Sequence, residues 1–330
     1  MESGTYDVIG RREVQVSILM DRVSDIIHLK WAHRQGICGQ NIGIAVMDTG
    51  IISHPDFIQK GNRIIAFYDA VNGRQAIYDD NGHGTHVTGI SAGNGTCSNG
   101  LYCGVAPESN IVSVKVLNHR GNGDVANVIK GLKWVTANKE KYNIRIVNIS
   151  VGTTAKSLMD ESSDLVMAVN EVWDNGIVVV AAAGNGGPRP KTIGAPGISR
   201  KIITVGASDD DIAVDLMGRS MRDYSGRGPT GACVKKPDVV APGSKVMSCN
   251  LIKKQYGLFG ISTGISYYTE KSGTSMSTPV VSGAVALLLS CHPDMTTRDV
   301  KMKIKESSED MGMPHGKQGW GRLNVISLLQ

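Results

Sequence analysis

Short apolar runs, each bounded by turn residues, recur along this chain and alternate with amphipathic stretches. Five of the runs have the length and composition of buried strands: residues 42–46, 111–117, 144–151, 177–183 and 202–207. Helical patterns occupy residues 85–92, 125–138, 164–175 and 298–307. Repeated strand–helix–strand order predicts an α/β fold, with a mainly parallel central sheet and helices on both faces.

The most apolar segment lies near the C-terminus. Residues 280–289 are apolar except for Ser282, which predicts a helix buried on all sides. Pro279 fits only the first turn, so we expect the helix to begin within residues 275–278. A hydroxyl there, on Ser275 or Ser277, would lie beside unpaired N–H groups at the positive end of the helix dipole. That place suits a nucleophile that needs a stabilised oxyanion, but it equally suits a capping serine.

The remaining pattern indicates one domain with a short leader. Residues 1–30 contain one strand-like run, at 14–20, followed by a polar stretch, so we interpret them as an N-terminal extension. Residues 27–35 fit a short helix. No internal repeat and no linker divides residues 31–330. No window has the length of an apolar membrane span, and the first residues lack the apolar core of a signal peptide.

Composition narrows the function classes. The 330 residues are 41% hydrophobic and 20% charged, which is typical of a soluble globular protein. The net charge of +5 is mild and scattered, so we infer no nucleic-acid partner and no membrane surface. Without a signal peptide we expect a cytoplasmic protein whose six cysteines are thiols, although Cys97 and Cys103 share a loop and could pair.

Three residue types that cooperate in acyl transfer each stand where a buried element opens into a turn. Asp48 ends the first strand, His83 lies between two glycines at a turn-to-helix junction, and Ser275 precedes the buried helix. Serine needs a base to become a nucleophile, and the base needs a carboxylate to orient it. Asn185, after the longest strand, could donate its amide to an oxyanion. We assign His86 a packing role.

Four motifs carry a family resemblance. D-T-G at 48–50, H-G-T-H-V-T-G at 83–89, A-A-A-G-N at 181–185 and G-T-S-M-S-T-P at 273–279 resemble the subtilisin family of serine endopeptidases, from about residue 31 to the C-terminus. D-D-N-G-H at 79–83, Y-C-G-V-A-P at 102–107, S-G-R-G-P-T at 225–230 and K-P-D-V-V-A-P-G at 236–243 resemble its intracellular AprX-type branch. The resemblance implies a three-layer subtilisin-like sandwich and an Asp48–His83–Ser275 triad, with Asn185 in the oxyanion hole.

The resemblance also implies a substrate cleft. A substrate strand would add between two backbone edges, formed by Gly121, Asn122 and Gly123 on one side and by Ser150, Val151 and Gly152 on the other. The S1 pocket would have Ser150–Gly152 and Ala182, Ala183 and Gly184 as walls and Gly194 as base. These residues are small and uncharged, so we expect broad specificity with a preference for a large apolar or aromatic P1 side chain.

Two departures from the family pattern affect the expectations. Secreted relatives carry a folding propeptide of about 70 residues or more, the scale of a small domain, whereas about 30 residues precede the core here. Residues 14–20 could instead lie in the cleft as an inhibitory strand. Relatives also hold a structural calcium ion at the positions of Asp56 and of the loop around Asn99. This loop has no carboxylate, so the sequence leaves that site open.

The sequence therefore predicts a serine endopeptidase that acts on peptides or unfolded proteins, with no cofactor for the chemistry. Two alternatives use the same acyl-enzyme: a peptide ligase or macrocyclase, and a protease dedicated to the maturation of one peptide. A third alternative is a peptide-binding module without activity. The mass of the products, hydrolysed or joined, separates hydrolysis from ligation.

Overall fold

The computed structural model describes residues 19–152, 162–216, 218–256 and 262–330. The helices are α1 (Leu19–Ile26), α2 (Leu29–Arg34), α3 (Pro55–Ile58), α4 (His83–Ala92), α5 (Val125–Ala137), α6 (Asp164–Asp174), α7 (Thr274–Cys291), α8 (Thr297–Ser307), α9 (His315–Gln318) and α10 (Val325–Leu329). The strands are β1 (Gly43–Asp48), β2 (Ile64–Asp69), β3 (Asn110–Lys115), β4 (Ile144–Ile149), β5 (Val178–Ala182), β6 (Ile203–Ala207), β7 (Val214–Leu216), β8 (Arg219–Met221), β9 (Val239–Ala241), β10 (Val246–Tyr256) and β11 (Ser262–Lys271).

Seven strands form a parallel sheet in the order β2-β3-β1-β4-β5-β6-β9. This confirms the predicted α/β class with a parallel central sheet. β1 pairs in register with both β3 and β4, which places Asp48 beside Lys115 and one residue beyond the paired Met47 and Ile149. Parallel strands bring their carboxyl ends to one edge, where open α/β sheets bind ligands.

Helices cover the sheet on both faces. On one face α7 packs against α4 and against β4, β5 and β6; on the other, α5 and α6 contact each other and reach β1 and β5. The core that joins these layers consists of aliphatic side chains from nearly every element. β10 and β11 form an antiparallel hairpin beside α4, and β7 pairs with β8 in a smaller hairpin.

Helix α7 differs from its expected form in one respect. It begins at Thr274, so Pro279 lies in the second turn rather than the first. Proline has no N–H for the carbonyl of Ser275, four residues earlier. The hydroxyl of Ser150 donates to that carbonyl instead, at 3.0 Å. The helix tolerates the proline because another strand supplies the missing hydrogen bond.

By length and composition, α7 could cross a membrane, contrary to the expectation that no segment of the chain has this character. It is instead the central core helix, buried at every position from Met276 to Leu289. The sheet and α4 therefore bury the apolar surface of this helix.

Residues 22–30 pack against the domain and do not extend away from it. Val23, Ile27 and Leu29 are buried in the main core, and Arg22 pairs with Asp209 at 2.7 Å. Packing is therefore continuous across residue 30. Of the predicted strand at 14–20, residues 14–18 lie outside the described residues, and residues 19 and 20 belong to α1.

Candidate active site

The carboxylate of Asp48 and the imidazole of His83 form the centre of the site. Asp48 ends β1 and is 1% exposed, and His83 opens α4 after Gly82, which has a φ of 94°. His83 Nδ1 lies 2.8 and 2.9 Å from the two oxygens of Asp48. This pairing places the proton on Nδ1 and leaves Nε2 as the basic nitrogen.

The electrostatics of His83 follow from this pair. Burial disfavours the charged imidazole, but the negative charge of Asp48 and its hydrogen bond outweigh that cost. The pKa of His83 is therefore raised above its ordinary value. About a quarter of the side chain is exposed, so the ring is held by the protein and still open to the cleft.

A second buried carboxylate, Asp79, builds the turn that presents His83. One of its oxygens accepts from the N–H groups of Asn81 and Gly82 and from the hydroxyl of Thr49, and the other accepts from Thr85 N–H and hydroxyl. Burial would raise the pKa of Asp79, but these hydrogen bonds outweigh it and lower the pKa. Thr49 also accepts from Gly84 N–H, which ties β1 to the start of α4.

Lys115, at the end of β3, stabilises the same turn through hydrogen bonds. Its side chain is fully buried, and its ammonium donates to Thr49 O, Leu117 O and Asp80 Oδ1 at 2.6, 2.8 and 2.7 Å. A buried ammonium is stable only when its three donors are all used, as they are here.

Ser275 is the second residue of α7 and is reciprocally bonded to Ser150. The Ser275 hydroxyl donates to the Ser150 carbonyl at 2.7 Å, while the Ser150 hydroxyl donates to the Ser275 carbonyl at 3.0 Å. The Ser275 hydroxyl has a single proton, so it must leave the Ser150 carbonyl before it can donate to a base.

Two hydrogen-bond donors are left free beside Ser275. The Asn185 Oδ1 accepts from the N–H and the hydroxyl of Thr274, both at 3.0 Å, so its Nδ2 group must face outward. Within the described residues, neither Asn185 Nδ2 nor the Ser275 N–H has an acceptor. Gly273 makes this approach feasible: its φ is 132°, and a Cβ there would lie 3.1 Å from Asn185 Nδ2.

The predicted S1 residues lie together. Gly194 N–H donates to Ala183 O at 3.1 Å, and a Cβ at Gly152 would lie 3.0 Å from Ala195 O. Ala182 ends β5, and Gly184 has a φ of 90° that turns the chain towards Asn185. These contacts bring the segments of the two proposed walls and of the proposed base next to one another. Val151, the middle residue of the proposed wall at 150–152, is partly exposed.

The other predicted edge is a closed turn next to the His83 loop. Asn122 O accepts from Asn118 N–H and Asn122 N–H donates to Asn118 Oδ1, so both backbone groups of Asn122 are engaged inside the turn. Asn81 Nδ2 donates to His119 O and fixes the turn beside His83. Gly121 N–H also donates to Asn118 O, at 2.9 Å, so Gly123 offers the backbone groups that a substrate could pair with.

His86, on the inner side of α4, has a structural environment. Its Nε2 lies 3.2 Å from Val246 O and 3.0 Å from Thr269 O, and the side chain is fully buried. Burial, with the nearby charges of Lys271 and His83, lowers the pKa of His86 to about 3. It is therefore neutral and ties α4 to the β10–β11 hairpin, as its predicted packing role requires.

The residues around Asp56 do not fit the calcium ion that the resemblance implies. The Asp56 carboxylate accepts from Cys97 N–H at 3.0 Å and from Tyr268 OH at 2.8 Å, and its other neighbours are the imidazole of His54 and the thiol of Cys249. Calcium requires six to eight oxygen ligands. Asn99 is an exposed residue with a φ of 51° after the Thr96–Ser98 turn. Calcium at Asp56 and Asn99 stays a prediction, and the donors present suit a softer cation.

The sequence indicated four candidate residues, Asp48, His83, Ser275 and Asn185, but not the residues that hold them in position. Asp79, Thr49, Lys115 and Thr274 act through backbone atoms and through each other. The D-D-N-G-H segment carries a signal for Asp79, because an aspartate in a turn commonly accepts from the N–H group two residues further on, here that of Asn81. The roles of Lys115 and Thr274 depend on contacts that no local pattern indicates.

Comparisons with known proteins show the family of this chain. Residues 39–321 match the family model described as the subtilase family. The serine protease AprX of Bacillus subtilis is 41% identical over 302 residues, which is 89% of this chain and 68% of that protein. Subtilisin DY of Bacillus licheniformis is 32% identical over 301 residues, 90% of this chain and 93% of that protein. A crystal structure of a cold adapted subtilisin-like serine proteinase, 28% identical, matches with a TM-score of 0.65 over 87% of this chain and 90% of the other.

Proposed function

Since this chain belongs to the subtilase family of serine proteases and is thus a hydrolase of peptide bonds, we propose that it is an endopeptidase that forms an acyl-enzyme on Ser275. The observation that carries the proposal is the pairing of His83 Nδ1 with buried Asp48, because it leaves Nε2 free to accept the serine proton. Asp48 orients the ring and stabilises the imidazolium that forms.

His83 accepts a proton and returns it in each of the two half-reactions. Ser275 Oγ attacks the peptide carbonyl carbon while its proton passes to His83 Nε2. His83 then gives this proton to the amide nitrogen of the leaving group, and the C–N bond breaks. A water molecule next loses a proton to His83 as it attacks the ester. The ester C–O bond breaks and Ser275 regains its proton.

Substrate binding can direct the serine. The Ser150 carbonyl, which accepts the Ser275 hydroxyl in this structure, lies on the edge where we expect a substrate strand to pair. A substrate N–H that donates to this carbonyl would release the hydroxyl towards His83. The nucleophile would then be aligned when a peptide is present.

The oxyanion would be held by Asn185 Nδ2 and the Ser275 N–H. Thr274 fixes the amide so that the NH₂ group rather than the oxygen faces the reaction. Both donors belong to or adjoin the first turn of α7, whose dipole favours negative charge. Neither donor needs to break a protein hydrogen bond before it acts.

For specificity, we propose broad sequence tolerance with a large apolar or aromatic P1 side chain. Backbone pairing along Gly121–Gly123 and Ser150–Gly152 reads no side chain. Ala182, Ala183, Gly184 and Gly194 are small and uncharged, so they leave apolar space and offer no partner to an arginine or lysine. We place the enzyme in the cytoplasm, which agrees with its six free thiols.

Digestion of unfolded casein by matched serine variants tests the proposal. Wild type should give shorter peptides, with one water added for each bond cleaved, and Ser275→Ala should give none above background. Ser277→Ala is the matched control, because Ser277 is buried two residues away with an unpartnered hydroxyl and should retain activity. Joined products would favour ligation, and equal hydrolysis by the Ser275→Ala protein would refute the mechanism.

A further inference from the structure

A group of side chains that can bind a metal ion lies between α3 and the loop after α4, apart from the active site. His54 Nδ1, a carboxylate oxygen of Asp56 and the Cys97 Sγ all lie within 4.8 Å of one another. The Cys249 Sγ lies 3.7 Å from Asp56 Oδ2. Three potential ligands thus converge from the segment around α3 and the loop after α4, and a fourth, Cys249 of β10, contacts the carboxylate of Asp56.

The charge of Asp56 is the second observation. The side chain is fully buried, and among the described residues no lysine or arginine side chain pairs with its carboxylate. Arg63 comes closest, but it donates to the backbone carbonyl of Asp56. The carboxylate partners are a thiol, a phenol, a backbone N–H and neutral His54. A buried carboxylate with only neutral partners is costly, and a divalent cation would compensate it.

The outer hydrogen bonds already orient the ligands. His54 Nε2–H donates to Tyr267 O at 2.9 Å, which leaves Nδ1 as the nitrogen facing Asp56 Oδ1 at 3.8 Å. Tyr268 OH and Cys97 N–H hold the carboxylate. Ligating histidines and carboxylates in metal sites are usually held in this way.

From this geometry we propose that His54, Asp56, Cys97 and Cys249 form a structural zinc site. Zinc takes four nitrogen, oxygen and sulfur ligands in a tetrahedron, at about 2.0–2.3 Å from the metal. Ligand atoms are then roughly 3.3–3.8 Å apart, so His54, Asp56 and Cys97 need to close by about 1 Å, and the Cys249 side chain has to turn towards them. Thiolate and imidazole ligands select zinc over calcium.

Binding of the metal changes a few local contacts. Nδ1 exchanges its 3.1 Å contact with Asp56 N–H for the metal, and both thiol protons leave to solvent. Cys97 is partly exposed and provides the route from solvent. The zinc would join α3, the Thr96–Ser98 turn and β10, and so stabilise the wall beneath α4. With one carboxylate and two thiolate ligands the loaded site has a net charge of −1, the same as the unloaded site, so the metal stabilises the buried carboxylate by direct coordination.

Cobalt spectroscopy of the full chain tests the site directly. The Ser275→Ala protein prevents self-digestion and makes the result independent of the proposed catalysis. After treatment with a chelator, titration with Co²⁺ should bind one equivalent and give thiolate-to-cobalt charge-transfer bands with the intense visible bands of tetrahedral cobalt. Zn²⁺ should displace the Co²⁺ and raise the melting temperature.

Variants assign the ligands. Cys97→Ser and His54→Asn should each weaken Co²⁺ binding by about 100-fold or more, since outer-shell changes alone cost 10- to 100-fold. Asn at position 54 can still cap α3, so the fold is kept. Cys233→Ser and Cys291→Ser, at exposed cysteines, are the controls and should bind as the parent does. Absence of thiolate bands in the parent, unchanged binding in both ligand variants, or stabilisation by Ca²⁺ alone would overturn the proposal.

Discussion

Helix α4 carries two histidines three residues apart, and their surroundings make them chemically opposite. His83 contacts a buried carboxylate, is partly exposed and has a raised pKa. His86 contacts two backbone carbonyls, is fully buried and has a pKa of about 3. A carboxylate partner stabilises the charged imidazole, whereas carbonyl partners do not compensate for lost solvation. Residue type alone therefore assigns neither role.

The comparison extends to the two sides of the helix. On the cleft side, His83 Nε2, Asn185 Nδ2 and the Ser275 N–H have no partner within the described residues. On the inner side, the polar groups that face the hairpin are mostly engaged: His86 through Nε2, and Ser248 by donating to His86 O. Polar groups that the fold leaves without a hydrogen-bond partner indicate where a substrate can bind and react.

The largest expected difference is between the two histidine-to-alanine variants. His83→Ala should lower kcat by about 10⁶-fold, as the equivalent change does in subtilisin itself, with little change in stability. His86→Ala should keep most of kcat and lower the free energy of unfolding by about 1–3 kcal/mol, because two carbonyls lose a donor. Steady-state kinetics and urea unfolding measure both. Similar kinetic losses in the two variants would remove the distinction.

The free donors on the cleft side predict the next largest effect. Asn185→Ala should lower kcat by about 10²–10³-fold with KM little changed, the size of the loss when this donor is removed from subtilisin. Asn175→Ala, at the exposed end of α6, is the matched control. A change confined to KM would mean that Asn185 binds substrate in its ground state.

Asp79 is an intermediate case. Both of its carboxylate oxygens accept hydrogen bonds, and it supports the turn of His83, whose Nε2 has no partner within the described residues. Asp79→Asn replaces an acceptor oxygen by a donor that faces N–H groups, so the turn that carries His83 should shift. We expect kcat to fall by about 10- to 100-fold, a range typical of a misplaced catalytic group. Asp215→Asn, on the exposed β7–β8 hairpin, controls for the loss of charge. Wild-type turnover by the Asp79→Asn protein would show that the turn is held by other contacts.

The smallest effect is the pH dependence of stability. Unfolded histidine binds a proton below about pH 6.5, and folded His86 only near pH 3, so the unfolded chain binds more protons between these values. Stability contributed by His86 is therefore complete above pH 6.5 and falls as the pH drops towards 3. His83 has the opposite sign: its contribution is complete below pH 6.5 and is lost as the pH rises through its raised pKa.

Melting temperatures of Ser275→Ala protein from pH 3 to 8 measure this dependence. Adding His86→Asn should flatten the acid side of the curve, and adding His83→Ala should change the slope of the curve only above pH 6.5. Parallel acid slopes with and without His86 would mean that other groups, such as the hydrogen-bonded carboxylate of Asp79, dominate acid unfolding.

Local pattern predicted the parallel sheet because its strands are short, apolar and bounded by turns. It failed at β9, three residues between the prolines of K-P-D-V-V-A-P-G, and at β10–β11, whose strands read as polar. Their pairing depends on contacts with β6 and α4 rather than on periodicity. Tertiary context of this kind is absent from a window of sequence.

The proposed triad and Asn185 were recognisable as candidates because each stands where a buried element ends, and the motif residues there are chemically restrictive. The surroundings of Asp56 were not, because Cys249 lies 193 residues away from it in the chain. The start of α7 was predicted one to four residues late because the Ser150 hydroxyl replaces the N–H that Pro279 lacks. A rule for an isolated helix cannot include that donor.

The central claim, that His83 activates Ser275, is tested most directly by the intact mass of the protein after incubation with a fluorophosphonate. We expect one adduct on wild type, none on Ser275→Ala and almost none on His83→Ala, while His86→Ala reacts as wild type does. An adduct that forms only after N-terminal residues are lost would add an inhibitory role for residues 14–20. No adduct on wild type in any form, or equal labelling of the His83→Ala protein, would contradict the account.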